Sequence, residues 1–528
     1  MEALSEPAAK RRMVLAERPM RGLEVVLAQV GDTMGPDLIV AALRGPVSEA
    51  LLRDACWRVQ QKHPSLRAAI RWPQGRAQAP WLQVFEADRD ALDVVVVEPA
   101  DAGPQPWRRT HSAHWEWVAE EQSKHRFDLD AGFLFRVVWV PDSSGDTGHL
   151  IICSHHAVVD GTSLMRLVNQ VLHEMSALHE ILTGSGALHA RAAARLRPVE
   201  PMPLSASLYS HLRFGWLDKV LTWVGRWQFA REQKQFTTAP WLPIAAPGPG
   251  NQLQVRTQCV FRRGQPGAWQ ELSTQCKQRG VTVGGAFSAS VQFAVARYLT
   301  EHGMPVPMRG RHVAMPLSMD YNMRGRVDHG QIDGEAIGLG TSIASIGVKV
   351  SPEIGFWPLA RQLMESARQQ VKLGIPKLFQ AVTDTVTDYR EFIARWGLDH
   401  RRSGGAGDGI NISNVGRYPF AERVGSFAIE DVFGFNGACV GGPLFIFWLR
   451  QVDGHLCYNA MACSPAVDRQ RLAQVFGHVV ELMERLAPTA RSDDLTLAAY
   501  SRMRAAQALP MPAPATADVL AAAWPREL

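Results

Sequence analysis

Two adjacent histidines and an aspartate lie close together in the segment Ser154-His155-His156-Ala157-Val158-Val159-Asp160-Gly161. It follows Leu150-Ile151-Ile152-Cys153, a short apolar run that is typical of a buried strand. Behind it, Thr162 or Ser163 is placed to cap a helix. Apolar residues at helical spacing predict one buried face for that helix: Leu164, Leu167, Val168, Val171, Leu172 and Met175. The histidines and the aspartate are therefore predicted to lie in a loop between a buried strand and a helix.

Two adjacent histidines at the end of a strand point to opposite sides, so at most one of them faces a given cavity. His156 is assigned the role of general base, because a histidine with a pKa of about 6.5 exchanges a proton with a hydroxyl or amine at neutral pH. Asp160 is placed to fix the loop by pairing with an arginine, and Gly161 permits a tight bend. These residues alone leave a second interpretation open, in which both histidines belong to the core and the aspartate only caps the helix.

The length of the chain, 528 residues, exceeds what one hydrophobic core accommodates and predicts two large lobes. Helices separated by strands predict the α/β class. The expected divisions are a lead-in, a first lobe, a crossover with a tryptophan-rich helix, a second lobe and an Ala/Pro-rich tail: 1–22, 23–186, 187–245, 246–490 and 491–528.

The composition excludes several classes of protein. Apolar residues make up 46% of the chain and charged residues 20%, which is typical of a soluble globular protein. The net charge of +5 is small, and no long basic run carries interleaved aromatics, so nucleic acid is not an expected partner. No apolar run approaches the roughly 20 residues of a membrane-spanning helix. Residues 1–20 lack the apolar centre of a secretory signal, so we expect a cytoplasmic protein.

Cysteine and histidine spacing predicts neither disulfides nor a metal site. The seven cysteines are an odd number without a C-x-x-C pair, which disfavours disulfides and zinc. His111 and His114 have a helical spacing, but the neighbouring sequence does not supply a ligand set for a metal. Cys153, beside the two histidines, is interpreted as a small buried residue rather than a nucleophile.

The region 205–233 predicts a long helix with one tryptophan-rich stripe: Trp216, Val220, Trp223 and Trp227. Packing between the lobes is the interpretation that such a stripe favours. The stripe also fits a cover over a hydrophobic substrate channel, or a helix that lies on a membrane surface.

The segment from His155 to Gly161 resembles the HHxxxDG motif of an acyltransferase superfamily. That superfamily includes chloramphenicol acetyltransferase, nonribosomal-peptide condensation domains, wax-ester and diacylglycerol synthases, and polyketide-associated acyltransferases. Three other segments follow in the family's order. His63-Pro64-Ser65-Leu66-Arg67 is similar to its HPxLR segment, Phe127-Asp128-Leu129 to its FDL segment, and Ser413-Asn414-Val415-Gly416 to its SNxG strand. The similarity spans residues 23–486.

The resemblance implies two chloramphenicol-acetyltransferase-like lobes that form a V-shaped pseudo-dimer with a tunnel between them. The donor thioester, either acyl-CoA or an acyl group on the phosphopantetheine of a carrier protein, enters from one side and the acceptor from the other. No bound cofactor is expected. The stretch Asp431-Val432-Phe433-Gly434-Phe435 matches the family's DFGWG motif only loosely, and we interpret it as structural support.

The resemblance also implies roles for individual residues. His156 deprotonates the acceptor, which attacks the thioester carbonyl directly without an acyl-enzyme. His155 and Asp160 hold the loop in shape, and Arg324 is the predicted partner of Asp160. Two residues of the second lobe are predicted to line the tunnel and to steady the developing oxyanion: Ser413 and Asn414.

The function expected from the sequence is therefore an ester-forming acyltransferase. A hydroxyl acceptor, on a small molecule or a lipid, is favoured because the sequence contains no adenylation or carrier domain. Amide formation on an amine acceptor is the alternative within enzymes, and a non-catalytic binding scaffold is the alternative outside them. We expect a monomer. An acyl carrier protein is a possible partner, and the tryptophan stripe leaves peripheral membrane contact open.

Overall fold

The computed structural model describes residues 12–29, 35–98, 111–184, 198–227, 256–384 and 407–503. Within these ranges some positions are not described: 74, 76–77, 143–145, 212–216, 218, 221–222, 225–226, 266, 314, 316, 327–333, 347, 438–441, 465–466 and 490–491. Most of the predicted crossover, Trp216 included, and most of the predicted tail lie outside the described residues.

Strands and helices alternate along the described chain. The strands are β1 (Val14–Pro19), β2 (Asp37–Arg44), β3 (Ala68–Arg71), β4 (Trp81–Phe85), β5 (Asp93–Val96), β6 (Phe135–Pro141), β7 (Thr147–Ser154), β8 (Arg256–Arg263), β9 (Met308–Arg309), β10 (His312–Val313), β11 (Leu317–Asn322), β12 (Thr341–Ser345), β13 (Gly407–Arg417), β14 (Arg423–Val424), β15 (Phe427–Phe435), β16 (Pro443–Val452) and β17 (His455–Ser464). The α-helices are α1 (Leu23–Gln29), α2 (Glu49–Lys62), α3 (His114–Gln122), α4 (Gly161–Thr183), α5 (Ala268–Gln278), α6 (Val283–Glu301), α7 (Phe356–Lys372), α8 (Ile375–Asp384), α9 (Arg469–Glu481) and α10 (Leu497–Ser501).

Two six-stranded sheets organise these elements. The first has the order β14-β15-β2-β7-β6-β5 and the second β12-β11-β13-β16-β17-β8. The first sheet packs into one buried apolar cluster. One face of the second sheet packs with helices into another cluster, and its opposite face, which includes Trp448 and Met461, joins the first cluster. Two separate cores confirm the predicted pair of α/β lobes, because a chain of this length cannot be enclosed around one core.

One strand pair crosses from the second half of the chain into the first lobe. β15 pairs antiparallel with β2, from Ala428 opposite Arg44 to Phe435 opposite Leu38, and β14 pairs with β15 at the sheet edge. The predicted second lobe, 246–490, therefore includes two strands that belong to the first lobe's sheet. Local sequence pattern does not reveal this exchange, because strand pairing is a long-range choice.

Both ends of the described chain are more structured than the sequence predicts. The predicted lead-in, 1–22, contains β1, which pairs antiparallel with β4. At the other end, Tyr500 of α10 is fully buried, and its ring centroid lies 6.0 Å from that of Phe293. The second lobe therefore continues beyond the predicted boundary at residue 490.

Side-chain hydroxyls cap two of the helices. Ser48 caps α2 by accepting a hydrogen bond from the Leu51 N–H at 3.2 Å, and that helix ends before Pro64. Thr282 caps α6 through the Gly285 N–H at 3.1 Å. After this helix, Pro64–Arg67 forms a 3₁₀ turn before β3 begins.

The tryptophan stripe is exposed where the structure describes it. Trp223 is 69% exposed, Trp227 55% and Val220 52%. The predicted packing of the stripe between the lobes is therefore wrong for these three side chains.

Within the described part of the chain, no helix is both long and apolar enough to cross a membrane. The cysteines in that part are buried thiols rather than disulfides: Cys56, Cys153, Cys259, Cys276, Cys457 and Cys463.

Candidate active site

The predicted loop joins the end of β7 to the start of α4. The cap of that helix is Asp160, whose Oδ1 accepts a hydrogen bond from the Ser163 N–H at 2.9 Å, so the predicted caps Thr162 and Ser163 are wrong. Gly161 is the first helical residue and does not adopt a positive φ. The start of the helix therefore does not use the left-handed conformation that glycine allows, and the Asp160 side chain supplies the cap.

His156 is held through one nitrogen of its ring. Its Nδ1 lies 2.9 Å from the carbonyl oxygen of Val159 and 2.9 Å from Oδ2 of Asp37. Both neighbours accept hydrogen bonds, so Nδ1 must carry the hydrogen. In the neutral ring the basic lone pair is therefore on Nε2, which is the arrangement that a general base needs.

The charge of Asp37 changes the acidity of His156. Burial of the ring alone would lower its pKa, but the Asp37 carboxylate and the Val159 carbonyl both stabilise the protonated ring and together outweigh burial. The pKa of His156 is raised from 6.5 to about 9. The protonated ring is consequently the main form at neutral pH, and the neutral base becomes the main form only above this pKa.

Asp37 is a residue of the site that no sequence motif indicates. This residue is 2% exposed, and it accepts hydrogen bonds from Asn436 Nδ2 at 3.2 Å and from the Gly437 N–H at 3.3 Å. The apolar run Leu38–Leu43 behind it is a readable signal for a buried strand. The contact between Asp37 and His156, however, depends on the register of β2 against β7, which places Asp37 opposite Ser154.

The predicted pair of Asp160 and Arg324 is present. Arg324 donates from Nη1 to Oδ2 at 2.7 Å and from Nη2 to Oδ1 at 3.1 Å. The Gly340 N–H adds a bond to Oδ2 at 2.7 Å. Burial alone would raise the pKa of Asp160, but the guanidinium and these N–H donors lower it. Because the two residues come from different halves of the chain, the pair ties the loop to the second lobe.

The neighbours of His156 have supporting positions. His155 is 2% exposed, and its Nδ1 accepts the Ala157 N–H at 3.2 Å, which fixes the turn of the loop. Cys153 is fully buried, and burial raises the pKa of its thiol to about 12. A thiol that holds its proton so firmly is a poor nucleophile.

The other histidine pair does not converge on a common point. His111 Nε2 lies 2.9 Å from Oε2 of Glu120, whereas the ring of His114 stacks on Trp117 with centroids 5.8 Å apart. Glu120 is a carboxylate neighbour that the sequence spacing does not reveal.

Comparison with known proteins places this geometry in a known fold. No family model matches the chain. A segment of 147 residues, 28% of the chain, is 32% identical to one of the proteins that make up linear gramicidin synthase in Brevibacillus parabrevis, and it spans only 3% of that protein's length. The structure of trichothecene 15-O-acetyltransferase from Fusarium sporotrichioides aligns with a TM-score of 0.65, at 12% identity, over 92% of this chain and 99% of that one. The first condensation domain of the CDA synthetase aligns with a TM-score of 0.58, at 14% identity, over 92% and 99%.

This is the two-lobed chloramphenicol-acetyltransferase-like fold. The predicted resemblance is thereby confirmed at the level of the fold.

In this acetyltransferase-like fold the expected tunnel corresponds to a cavity of about 340 Å³ between the lobes. The first lobe contributes His156 and Asp37, and the second lobe contributes Asp320, Ser413 and Asn414. The two predicted tunnel residues thus lie in the same cavity as the predicted base.

Asp320 on β11 is a further carboxyl group of this cavity that the sequence analysis does not identify. Asn411 Nδ2 donates to its Oδ1 at 3.0 Å, and the side chain of Ser413 also bonds to it. Burial raises the pKa of Asp320 despite these donors, which favours the protonated carboxylic acid. The wall opposite His156 therefore offers hydrogen-bonding groups that can meet a polar substrate.

Proposed function

We propose that this protein is an acyltransferase that moves an acyl group from a thioester to a hydroxyl acceptor, with His156 as the general base. The donor in this proposal is acyl-CoA or an acyl group on a carrier-protein phosphopantetheine. The acceptor is a small molecule or a lipid that carries the hydroxyl.

The observation that carries the proposal is the fixed tautomer of His156 inside the interlobe cavity. Because Nδ1 faces the Asp37 carboxylate and the Val159 carbonyl, Nε2 is the nitrogen that takes a proton from the acceptor. A cavity lined by both lobes supports the meeting of two substrates at that atom.

The reaction proceeds by direct attack. The acceptor oxygen forms a bond to the thioester carbonyl carbon while its proton moves to Nε2 of His156. The carbonyl oxygen becomes an oxyanion. In this proposal it accepts a hydrogen bond from Asn414, or from Ser413 when the Ser413 hydroxyl turns away from Asp320. The carbon–sulfur bond then breaks, and the leaving thiolate takes the proton back from Nε2. The products are an ester and a free thiol, and the histidine returns to its starting state.

Asp37 acts through His156 in this scheme. It holds the ring in the tautomer that exposes Nε2 and stabilises the imidazolium that forms during attack. Asp160 and Arg324 act one step further away, by holding the loop that carries the histidine.

A second candidate function is amide formation on an amine acceptor. The observation in its favour is the similarity of one segment to a component of a gramicidin synthase and of the whole chain to a condensation domain. The same base and the same cavity serve either acceptor, since both reactions remove a proton from the attacking atom.

Thiol release from a panel of acyl thioesters, offered with matched alcohol and amine acceptors, is expected to depend on the alcohol. Mass spectrometry of the products should identify an ester that combines the donor's acyl group with the acceptor. Amide as the main product would replace the hydroxyl assignment with the second candidate. Tight binding of thioester and acceptor without thiol release would favour a non-catalytic scaffold.

The rate is expected to rise with pH, because the base works only when His156 is neutral. For the wild type, kcat/KM should increase with pH and level off above about 9. Asp37→Asn removes the charge that raises this pKa, so the rising limb should move to lower pH. The plateau should fall by up to about 10⁴-fold, because the imidazolium that forms during attack loses the carboxylate that stabilises it. The measurement is a series of steady-state rates between about pH 6 and about pH 10.

Asp93→Asn is the matched control for that experiment. Asp93 is a first-lobe carboxylate that pairs with Arg136 at 2.6 Å and does not line the cavity. Replacement of Asp93 should leave the rising limb of the pH–rate profile at its wild-type pH. A rising limb that does not move in Asp37→Asn would show that Asp37 does not raise the pKa of His156.

A further inference from the structure

A cluster of three potential metal ligands lies where the two sheets meet. Asp431 belongs to β15 of the first lobe's sheet, and His455 and Cys457 belong to β17 of the second. His455 and Cys457 are two residues apart on one strand, so their side chains share a face of the sheet. The cluster contains no residue of the proposed catalytic machinery.

The ligand atoms of the cluster converge. Asp431 Oδ1 lies 2.6 Å from His455 Nε2 and 3.5 Å from Cys457 Sγ, and that sulfur lies 3.7 Å from Nε2. Ligands of a tetrahedral zinc ion, at about 2.0–2.3 Å from the metal, lie about 3.3–3.6 Å apart. The two distances to sulfur match this geometry. The 2.6 Å between His455 Nε2 and Asp431 Oδ1 is a hydrogen-bond distance. It would lengthen by about 0.7 Å when a metal ion takes the place of the shared hydrogen.

The surroundings of the cluster support ligation through Nε2 of the histidine. His455 Nδ1 lies 3.4 Å from the carbonyl oxygen of Asp453, so the ring can donate from Nδ1 while Nε2 binds a metal. Asp453 and Gly454 form the tight turn between β16 and β17, and both have positive φ values of 41° and 77°. This turn fixes the start of β17, and with it the position of the imidazole.

The thiol of the cluster must lose its proton to bind a metal. A divalent cation favours this loss, because it neutralises the Asp431 carboxylate and stabilises the thiolate directly.

Access and charge also fit a divalent ion. Arg263 forms the outer edge of the cluster, with Nη1 3.3 Å from Asp431 Oδ2, and its side chain is 52% exposed. A flexible, half-exposed arginine can move aside to admit an ion and a water molecule. One carboxylate and one thiolate neutralise the two charges of the ion.

We propose that Asp431, His455 and Cys457 bind one divalent metal ion of the zinc type, with water as the fourth ligand. A thiolate, an imidazole and a carboxylate together favour zinc over calcium or magnesium, which prefer oxygen ligands alone. On binding, the Cys457 thiol releases its proton to solvent, and the hydrogen of His455 moves from Nε2 to Nδ1. The bound ion ties the two sheets together, since it joins a strand of each lobe's sheet.

The metal site is connected to the candidate active site through β15. Gly434 lies three residues after Asp431 on β15, about 10 Å along the strand. Asn436 and Gly437 follow directly after the end of this strand. Those two residues donate to Asp37, the partner of His156. A metal ion bound to Asp431 therefore holds in place the strand that leads to Asn436 and Gly437. Through these two residues it supports Asp37, the carboxylate beside His156.

Cobalt titration of the chelator-treated, tag-free full chain tests the proposal. About one equivalent of Co²⁺ should bind and produce a thiolate-to-cobalt charge-transfer band together with the visible bands of a tetrahedral site. Zn²⁺ should displace the cobalt and abolish these bands. Cys457→Ser should lose the charge-transfer band, and His455→Ala and Asp431→Asn should weaken Co²⁺ binding by about tenfold or more.

Cys463→Ser is the matched control, because Cys463 is a buried cysteine of the same strand outside the cluster. It should retain the cobalt spectrum. The absence of a thiolate band in the wild type would overturn the proposal without recourse to any variant. A band that persists in Cys457→Ser, with folding verified by circular dichroism, would overturn it as well.

Discussion

Replacement of His156 by alanine is expected to lower kcat by about 10²- to 10⁴-fold, the range that a positioned general base contributes. The substitution removes the ring, and with it the basic nitrogen that Asp37 holds in a fixed tautomer. Because the base acts in the transition state rather than in binding, KM for the thioester should change little. The measurement is steady-state thiol release with an acyl thioester and an acceptor that the wild type turns over.

His173→Ala serves as the control for that substitution. His173 is an exposed histidine on α4, the helix that follows the loop, and it does not line the cavity. Its loss should leave kcat at the wild-type value. Wild-type turnover by His156→Ala would mean that another group, or none, removes the acceptor's proton.

The second large effect is expected for the pair of Asp160 and Arg324. Asp160→Ala leaves the largely buried guanidinium of Arg324 without its carboxylate, and the reverse holds for Arg324→Ala. Loss of one partner of a buried ion pair costs about 3–5 kcal/mol. Both single variants should therefore unfold at clearly lower denaturant concentration than the wild type, and both should lose activity because the loop that carries His156 is released.

A double-mutant cycle isolates the interaction of these two residues. The double variant should be less destabilised than the sum of the single variants, with a coupling energy of about 1–3 kcal/mol. Arg89 and Asp54 form an exposed ion pair and provide the comparison, for which less than about 1 kcal/mol is expected. A cycle for Asp160 and Arg324 with no more coupling than this exposed pair would refute the proposed tie between loop and second lobe.

The sequence predicts the local frame of the site well, because local signals determine it. The apolar run ending at Cys153 and the helical spacing after Gly161 are enough to identify β7 and α4. The pairing of Asp160 with Arg324 comes from a motif whose partners recur in a family of proteins. These features depend on short stretches of chain or on a recognisable pattern.

Features that depend on strand register are not predictable in the same way. Asp37 meets His156 only because β2 pairs with β7, and Asn436 supports it only because β15 pairs with β2. Asp431 and Cys457 come together only where the two sheets touch. Each of these contacts joins residues that are far apart in the chain, and single-sequence periodicity contains no information about such pairings.

The exposure of Trp223 and Trp227 shows a different limit. Helical periodicity identifies a stripe but does not say what covers it. The described residues leave the channel-cover and membrane-surface interpretations as the alternatives, and co-sedimentation with liposomes separates them.

In the proposed direct transfer, the acceptor is activated by His156 and attacks the thioester itself. Intact-protein mass spectrometry after rapid mixing with acyl thioester distinguishes this mechanism from one with an acyl-enzyme. Without acceptor, the protein mass should stay unchanged, and the ester should form only when acceptor is added. An acyl adduct on the protein that disappears as product forms upon addition of acceptor would contradict the claim.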